Sequence, residues 1–295
     1  MNTIFKGAAT AMITPFTKDN KINFDAFEKQ IAFQIKNNID ALVVLGTTGE
    51  PSVMSNAERK SVIDFAVKTV KASKSKIKII IGTGSNNTET AVENNKYAEN
   101  AGADALLAVT PYYNKCTQNG LVKYYESICA SVSVPVICYN VPGRTGLEIM
   151  PQTYSKLCEI KNLAATKEAC GKMEAICETA KNISGKMDLY SGDDMLTLPL
   201  LSIGAKGVIS VLSNVFPAEV KELTNKFFSG DINGAVKLHE KLVPLFKAAF
   251  CEVNPIPIKF MSEYIGLGGG IPRAPLTELE EENKDKIIKI LKEFK

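Results

Sequence analysis

Eight short, nearly continuous apolar runs alternate with helical patterns from the N-terminus to about residue 228. Nearly continuous apolar runs of this length are typical of strands buried on both faces in a parallel sheet. Eight strand–helix units over roughly 230 residues match a (β/α)8 barrel, whose usual length is about 250 residues. The sequence therefore predicts an α/β fold, a TIM barrel over residues 1–228. The runs begin near Gly7, Ala41, Lys76, Ala105, Val134, Leu163, Asp188 and Lys206.

A doubly wound sheet is the alternative architecture, but it needs only about five or six strands and carries a Gly-x-Gly-x-x-Gly turn. GTGSNN at 82–87 lacks the last glycine of that turn, and GLGGG at 266–270 follows a helical pattern rather than a strand. Both segments are typical of ordinary turns, which favours the barrel.

Several helix ends are readable. Ser55-Asn-Ala-Glu58 predicts a capping box that opens a helix running to about Val70. Gly102 stands where a left-handed C-cap belongs, so it is expected to end another helix. Apolar residues at helical spacing predict the buried face of the first helix, formed by Phe24, Phe27, Ile31 and Ile35.

The chain changes character after the eighth unit. Residues 232–251 and 255–265 have helical patterns, and Thr277-Glu-Leu-Glu280 predicts the cap of a last helix. That helix has one apolar face, formed by Ile287, Ile288, Leu291 and Phe294. We therefore expect residues 229–295 to form a C-terminal helical extension packed on the barrel.

The composition argues against several classes of function. The chain has 295 residues, 45% of them hydrophobic and 23% charged, and a net charge of +3. The small net charge, without a basic cluster beside exposed aromatic residues, argues against nucleic acid as a partner. No apolar run reaches the roughly 20 residues of a membrane helix, and the N-terminal segment does not resemble a signal peptide. We expect a cytoplasmic protein that binds neither nucleic acid nor a membrane.

Cysteine and histidine restrict the chemistry further. The seven cysteines are scattered without C-x-x-C spacing, so we expect reduced, mostly buried thiols rather than disulfides or a metal site. The single histidine, His239, lies in an amphipathic helical pattern and excludes Ser-His-Asp, Cys-His and His-rich metal schemes. Without a histidine nearby, Cys170 is a poor candidate for a nucleophile.

Unusual polar residues follow the predicted strands, at the end of the barrel where the chemistry of this fold takes place. The sixth run, Leu163-Ala-Ala-Thr166, leads directly into Lys167. The other segments are GTTGE (46–50), TPYYN (110–114), YNVPGRTG (139–146), SGDD (191–194) and Ile209-Ser210.

Lys167 is the most informative of these residues. Burying an ammonium group costs solvation free energy, which lowers the pKa of the amine and frees its lone pair. A lysine of this kind traps carbonyl substrates as a Schiff base. The alternative is a structural lysine that pairs with a buried carboxylate such as Asp193, and the spacing alone leaves both interpretations open.

Three neighbouring segments could assist such a lysine. Tyr139 can relay protons during imine formation, and Arg144 offers a bidentate fork for a carboxylate. Thr47-Thr48-Gly49 offers hydroxyl and N–H groups that suit a small carboxylate. The alternatives are a packed aromatic ring, a surface ion pair and an ordinary turn.

Together these motifs resemble the pyruvate-dependent class I aldolase/lyase superfamily, and most closely its dihydrodipicolinate synthase family. The likeness covers essentially the whole chain, including the helical tail. One motif alone would be weak evidence, but six in the family's order and spacing are very specific. They are GTTGE, TPYYN, YNVPGRTG, KEACG, SGDD and GVISV.

The resemblance implies a role for each matching residue. Lys167 matches the Schiff-base lysine, while Tyr139, Thr47 and Tyr113 match a proton-relay triad, with Tyr113 reaching into a neighbouring subunit's site. Thr48 matches the residue that holds the pyruvate carboxylate. The remaining matches are Arg144, which receives the carboxylate of the second substrate, and Gly192 and Ile209, whose backbone lines the pocket.

The resemblance also implies a reaction, the first committed step of diaminopimelate and lysine biosynthesis. Pyruvate condenses with L-aspartate-4-semialdehyde through a lysine imine, which is the electron sink, so neither a metal nor an organic cofactor is expected. The resemblance also implies a homo-oligomer, and a dimer of dimers is the expected assembly. Related aldolases that act on sugar acids share the lysine and tyrosine, but Arg144 within GRTG favours a second carboxylate. A catalytically silent sensor would need a broken site, and no motif residue is missing.

Feedback by free lysine is expected to be weak or absent. Lysine-sensitive family members hold the ligand with a tyrosine, an asparagine, histidines and a glutamate. This chain keeps Tyr112 and Asn86 at the matching positions but has Thr90 in place of the glutamate, and Asn56 and Arg59 in place of the histidines. Thr90 removes a charge-assisted hydrogen bond to the ligand's ammonium group.

Overall fold

The computed structural model describes residues 3–294, and its sheet is a closed barrel in which the strands follow one another in chain order. The predicted α/β barrel fold is therefore confirmed, and each predicted strand lies at its apolar run. The strands are β1 (Gly7–Ala11), β2 (Ala41–Val44), β3 (Lys78–Gly82), β4 (Ala105–Val109), β5 (Val136–Asn140), β6 (Leu163–Glu168), β7 (Asp188–Ser191) and β8 (Gly207–Ser210).

Helices follow the strands and continue to the end of the described chain. Short 3-10 helices occupy Thr47–Gly49, Pro51–Val53, Pro151–Thr153 and Leu212–Asn214. The α-helices are α1 (Phe24–Lys36), α2 (Asn56–Ala72), α3 (Thr88–Ala101), α4 (Gln118–Ala130), α5 (Pro142–Thr145), α6 (Tyr154–Leu157), α7 (Met173–Ile183), α8 (Thr197–Ser202), α9 (Pro217–Phe228), α10 (Ile232–Ala249), α11 (Ile256–Tyr264) and α12 (Glu281–Phe294). Between residues 3 and 294, no helix combines the length and apolar character that crossing a membrane requires.

Contacts along the chain group it into two compact units. The first unit comprises the residues up to Gly7 and Lys78–Ile209, and the second comprises Ala8–Ile77 and the chain from Ser210 onward. In the second unit, β1 pairs in parallel with β2, and α10 packs against α9, α11 and α12. The predicted boundary between residues 1–228 and 229–295 stays a prediction.

In the first unit, neighbouring strands pair in parallel from β3 to β8. Every residue of β5 and β6 is buried, as expected of strands covered on both faces. The register places Tyr139 of β5 beside Lys167 of β6, and Lys167 beside Tyr190 of β7. A buried lysine therefore lies between two tyrosines in the middle of three adjacent strands.

Two predicted helix ends are confirmed. The Ser55 hydroxyl accepts the Glu58 N–H at 3.2 Å, and the Glu58 carboxylate accepts the Ser55 N–H at 2.9 Å, so the capping box is complete. It opens α2, which ends at Ala72. Gly102 ends α3 in the left-handed conformation with φ of 104°, which glycine adopts without strain.

The buried face of α1 is more polar than its apolar stripe predicts. Phe27 and Ile31 are buried, whereas the outer two residues of the stripe are partly exposed. Gln30 and Gln34 are also buried on this helix. The Gln34 side-chain carbonyl accepts the Thr10 hydroxyl of β1 at 2.7 Å, and its amide nitrogen donates to the Ser213 carbonyl at 2.9 Å. Hydropathy alone does not reveal such a partner.

The start of the last helix differs from the prediction. α12 begins at Glu281, so the predicted cap at Thr277 is wrong. The Glu252 carboxylate accepts the Glu280 N–H at 3.0 Å and the Asn283 side-chain amide at 2.7 Å. The Glu280 carbonyl accepts the Asn283 N–H at 2.9 Å. An acceptor from a distant part of the chain therefore fixes where the helix starts.

Candidate active site

Lys167 lies near the C-terminal end of β6 with only 5% of its surface exposed. Burial is the main cause that lowers the pKa of this lysine, to about 7. The negative charge of Asp194 raises the pKa and the positive charge of Arg144 lowers it, so the neighbouring charges act in opposite directions. The predicted lowering is confirmed, and a substantial fraction of the amine is neutral at pH 7.

The alternative prediction named Asp193 as an example of a buried carboxylate that could pair with Lys167. Among the described residues, Lys167 forms no ion pair with Asp193. The Asp193 carboxylate instead accepts the Met195 N–H at 2.9 Å, within the turn that follows β7. The carboxylate that acts on the pKa of the lysine is the next residue, Asp194.

Tyr139 provides one wall of the lysine's surroundings. Its ring faces the amine, with Lys167 Nζ 4.2 Å from the ring centroid, and its side chain is 6% exposed. The face of an aromatic ring favours a nearby cation and covers the amine with a nonpolar surface. The two residues therefore meet as the strand register and the sequence both indicate.

Gly192 provides the space that the lysine side chain needs. A Cβ atom at this position would lie 2.9 Å from Lys167 Cε and 3.0 Å from the Ala169 Cβ. Any larger residue would therefore push the lysine aside. The Gly192 N–H donates to the Glu168 carbonyl at 2.7 Å, which holds the backbone of this turn against β6. Ile209 is fully buried in β8.

Arg144 lies on α5, a short helix that follows β5 and ends at Gly146 in the left-handed conformation. The arginine side chain is exposed, yet its charge influences the pKa of Lys167. Thr145, the next residue, is buried and its hydroxyl donates to the Leu147 carbonyl at 2.9 Å. The helix is therefore anchored on one side and presents its arginine on the other.

Sequence reasoning missed a buried polar pair on the opposite face of the same two strands. The Asn140 amide donates to both oxygens of the Glu168 carboxylate, at 3.1 and 3.0 Å. Glu168 also accepts the Cys170 N–H at 2.8 Å, and Asn140 accepts the Ile149 N–H at 3.0 Å. Burial raises the pKa of Glu168. A polar residue directly after each of the two site residues was the available signal, since alternate strand residues point to opposite faces.

Thr47 and Thr48 belong to the second unit, where Thr47–Gly49 forms a 3-10 helix after β2. Thr48 is buried and Thr47 is partly exposed. The Asn254 side-chain amide donates to the Thr48 hydroxyl at 3.0 Å. The Thr14 hydroxyl donates to the Gly49 carbonyl at 2.9 Å, so side chains from two other segments fix this turn.

Tyr113 differs from the other predicted site residues because its side chain is 90% exposed. Its backbone has a φ of 70°, in the left-handed region that few residues other than glycine adopt. A large exposed ring on a strained backbone is unusual for a residue without a function.

The thiols and the single histidine do not form a second reactive centre. Burial raises the pKa of Cys170 to about 12, so the thiolate is scarce at neutral pH. His239 is half-buried on α10, as expected. All seven cysteines are free, but only Cys129, Cys138 and Cys158 are buried, so the expectation of mostly buried thiols is wrong. No cluster of three or more potential metal ligands occurs within residues 3–294.

The fold and the lysine together define a class of protein, namely barrels suited to binding a carbonyl substrate covalently through a lysine. A (β/α)8 barrel whose sixth strand carries a buried amine with a pKa of about 7 is suited to forming a Schiff base with a carbonyl substrate.

Comparison with known proteins identifies the family within this class. The profile of the Dihydrodipicolinate synthetase family matches residues 4–294. A protein of Endomicrobium trichonymphae named 4-hydroxy-tetrahydrodipicolinate synthase is 45% identical over 292 residues, which cover 99% of each chain. The chain therefore belongs to the dihydrodipicolinate synthetase family.

Solved structures agree over nearly the whole chain. Dihydrodipicolinate synthase from Aquifex aeolicus is 42% identical and superposes with a TM-score of 0.94, covering 98% of each chain. A structure described as a monomeric dihydrodipicolinate synthase variant is 38% identical and superposes with a TM-score of 0.95, covering 99% of this chain and 97% of the other.

The buried lysine predicts a pH-dependent stability. Between pH 7 and 10.5 the unfolded lysine is protonated while the folded amine is largely neutral, so the free energy of unfolding rises with pH in this window. Lys167→Met removes the buried charge and should stabilise the protein below pH 7 by on the order of a few kcal/mol. The gain should shrink as the pH rises toward 10.5.

Urea unfolding of Lys167→Met and the wild type at pH 6.5 and 9.5 measures this difference. The same substitution at the exposed Lys123 of α4 corrects for the general effect of removing a lysine. An equal difference at both pH values would contradict the lowered pKa.

Proposed function

We propose that this protein condenses pyruvate with L-aspartate-4-semialdehyde to give 4-hydroxy-tetrahydrodipicolinate, with Lys167 as the imine-forming residue. Family membership and relatives of that name support the reaction. The observation that carries the assignment of the residue is the burial of Lys167 against the Tyr139 ring, with a pKa of about 7. An amine must be neutral to attack a ketone, and a substantial fraction of this one is neutral at pH 7.

The chemistry follows from the neutral amine. Lys167 Nζ attacks the pyruvate ketone, and loss of water gives a protonated imine that makes the adjacent methyl group acidic. Loss of a methyl proton gives an enamine, whose carbon adds to the aldehyde of the second substrate. The amino group of that substrate then closes on the imine carbon and releases Lys167. The electron pair moves into the imine and back, so the steps balance without an external oxidant or reductant.

The other predicted residues serve proton transfer and binding. We assign proton transfer to Tyr139, Thr47 and Tyr113, since hydroxyl groups can pass protons to and from the departing water. The Thr48 hydroxyl would donate a hydrogen bond to the pyruvate carboxylate, and Arg144 would bind the carboxylate of the semialdehyde. Gly192 and Ile209 would line the pocket with backbone.

The close packing around Lys167 supports its assignment in a specific way. The stem of Lys167 packs directly against Gly192, where a Cβ atom would lie 2.9 Å from Lys167 Cε, and this contact limits where the stem can lie. A positioned amine reacts faster than a mobile one, since the orientation is fixed before the ketone arrives.

Lys167→Ala should abolish reductive trapping of pyruvate by borohydride while the fold persists, because it removes the attacking amine. Mass spectrometry of the treated protein measures the adduct and its position. The control is Lys172→Ala, which removes an exposed lysine five positions later that pairs with Glu148. An adduct on any other lysine would disprove the assignment.

Arg144→Ala should weaken the use of aspartate semialdehyde while pyruvate trapping continues, because imine formation does not need the second carboxylate. Loss of a charge-assisted fork predicts a rise of about 10- to 100-fold in the KM for the semialdehyde. Arg144→Lys keeps the charge but lacks the bidentate guanidinium, so its KM for the semialdehyde should lie between those of the wild type and Arg144→Ala. Steady-state kinetics with each substrate varied in turn provide the measurement, and equal loss of trapping and turnover would mark Arg144 as structural.

We propose that the protein is a homo-oligomer, at least a dimer, and that two such dimers form a tetramer. The 90% exposure of the Tyr113 ring supports this, because a relay residue needs an enclosed neighbourhood that another subunit can supply. We also propose that the protein is cytoplasmic. Residues 229–295 are proposed to form a C-terminal helical extension.

Tyr113→Phe should lower turnover by roughly 10²–10⁴-fold, the usual contribution of a general acid–base group. The matched control is Tyr97→Phe, which removes a hydroxyl from the partly exposed face of α3. Sedimentation velocity under assay conditions should find a dimer or larger species. A wild-type monomer with full activity would be incompatible with a shared Tyr113.

A further inference from the structure

The turn that carries Thr47 and Thr48 has an unusual backbone. Leu45 and Glu50, the residues on either side of Gly46–Gly49, have φ values of 57° and 55°. Residues other than glycine rarely adopt this left-handed backbone conformation, and it persists only where the surrounding structure imposes it. The turn therefore needs support from outside its own sequence.

Glu50 receives that support from the C-terminal region of the same unit. Its side chain is 2% exposed and forms an ion pair with Lys259 of α11, whose side chain is 1% exposed. The second carboxylate oxygen accepts the Arg273 N–H at 3.0 Å. A buried carboxylate with partners on both oxygens is fixed in place, and with it the backbone of residue 50.

The same region also holds the far end of the segment that follows the turn. The Arg273 guanidinium donates to the Glu58 carboxylate at 2.5 Å, next to the start of α2. Lys259 Nζ and Arg273 Cζ lie 4.4 and 4.1 Å from the centroid of the Phe16 ring. Two cations on one ring and two carboxylates form a charge-balanced cluster that anchors residues 50–58 at both ends.

A second contact comes from the residue that leads into α11. The Asn254 amide donates to the Thr48 hydroxyl at 3.0 Å, and both side chains are buried. A hydroxyl oxygen that accepts a hydrogen bond still has its own proton to donate in another direction. Asn254 therefore presents Thr48 as a donor, which is the role a carboxylate ligand requires.

We propose that the segment 254–259 positions the turn for the pyruvate carboxylate, with Asn254 orienting the Thr48 hydroxyl and the Glu50–Lys259 ion pair holding the backbone. The inference rests on the proposed function, since it takes Thr48 as the group that binds pyruvate. Asn254, Glu50 and Lys259 are positioning residues that act through Thr48 and do not touch the reacting atoms. The C-terminal region thereby becomes part of the binding machinery.

The test compares two double variants, each of which removes an ion pair without leaving a lone charge. The pair at the turn is buried, and the control pair is partly exposed. Glu50→Gln/Lys259→Met removes the pair at the turn. Asp40→Asn/Lys221→Met removes a pair in the same unit at the other end of β2, where Asp40 precedes the strand. Both are measured for thermal midpoint, for the pyruvate concentration that gives half-maximal borohydride trapping, and for the semialdehyde KM at saturating pyruvate.

The proposal predicts that the pyruvate concentration for half-maximal trapping rises about tenfold in Glu50→Gln/Lys259→Met. It should not change in the control variant, Asp40→Asn/Lys221→Met. Asn254→Ala, which leaves the ion pair intact, should raise it by about three- to tenfold. The semialdehyde KM should stay unchanged in all three variants.

Three results would overturn the inference. One is that Asn254→Ala and the folded fraction of Glu50→Gln/Lys259→Met both reach half-maximal trapping at the same pyruvate concentration as the wild type. Another is an equal shift in the control pair, which would reflect lost stability alone. If the wild type traps no pyruvate, the proposed function fails and this inference fails with it, whereas normal wild-type trapping with unshifted variants rejects the inference alone.

Discussion

The burial of Lys167 is the constraint on which the chemistry proposed for this protein depends. Removing an ammonium group from water is costly, and here the nearby charges do not offset that cost, since Asp194 and Arg144 act in opposite directions on its pKa. As a result the pKa of the amine falls to about 7, and a substantial fraction of it is neutral at pH 7. β6 is buried along its whole length, the Tyr139 ring covers the amine, and Gly192 leaves room for the lysine stem. The reactivity proposed for Lys167 depends on this packing.

Two adjacent strands serve the site and the scaffold at once. Tyr139 and Lys167 are paired in register on one face, and Asn140 and Glu168 form the next pair on the other. The second pair is hydrogen-bonded internally and also holds the segments that follow both strands. Because side chains alternate along a strand, the position of Lys167 and the anchoring of its neighbours are fixed by the same register.

In the second unit, residues far apart in the chain determine the shape of one short turn. Thr48 is hydrogen-bonded to Asn254, 206 positions away in the chain. Glu50 is hydrogen-bonded to the backbone of Arg273, 223 positions away. The helical tail thus contributes more than cover for apolar surface. Its buried polar groups hold Glu50 in a conformation that the local sequence disfavours.

The sequence by itself determined the architecture and the identity of the candidate residues. Eight apolar runs predicted eight strands, Ser55 and Glu58 predicted a helix start, and Lys167 stood out because a lysine follows a small apolar run. These features depend on local periodicity and composition, which a single sequence contains. Only the tertiary structure decided that Asp194 rather than Asp193 acts on Lys167, that α12 starts at Glu281, and that Lys259 supports the threonine turn. Each of these depends on which side chains meet across long separations, and no local pattern specifies that.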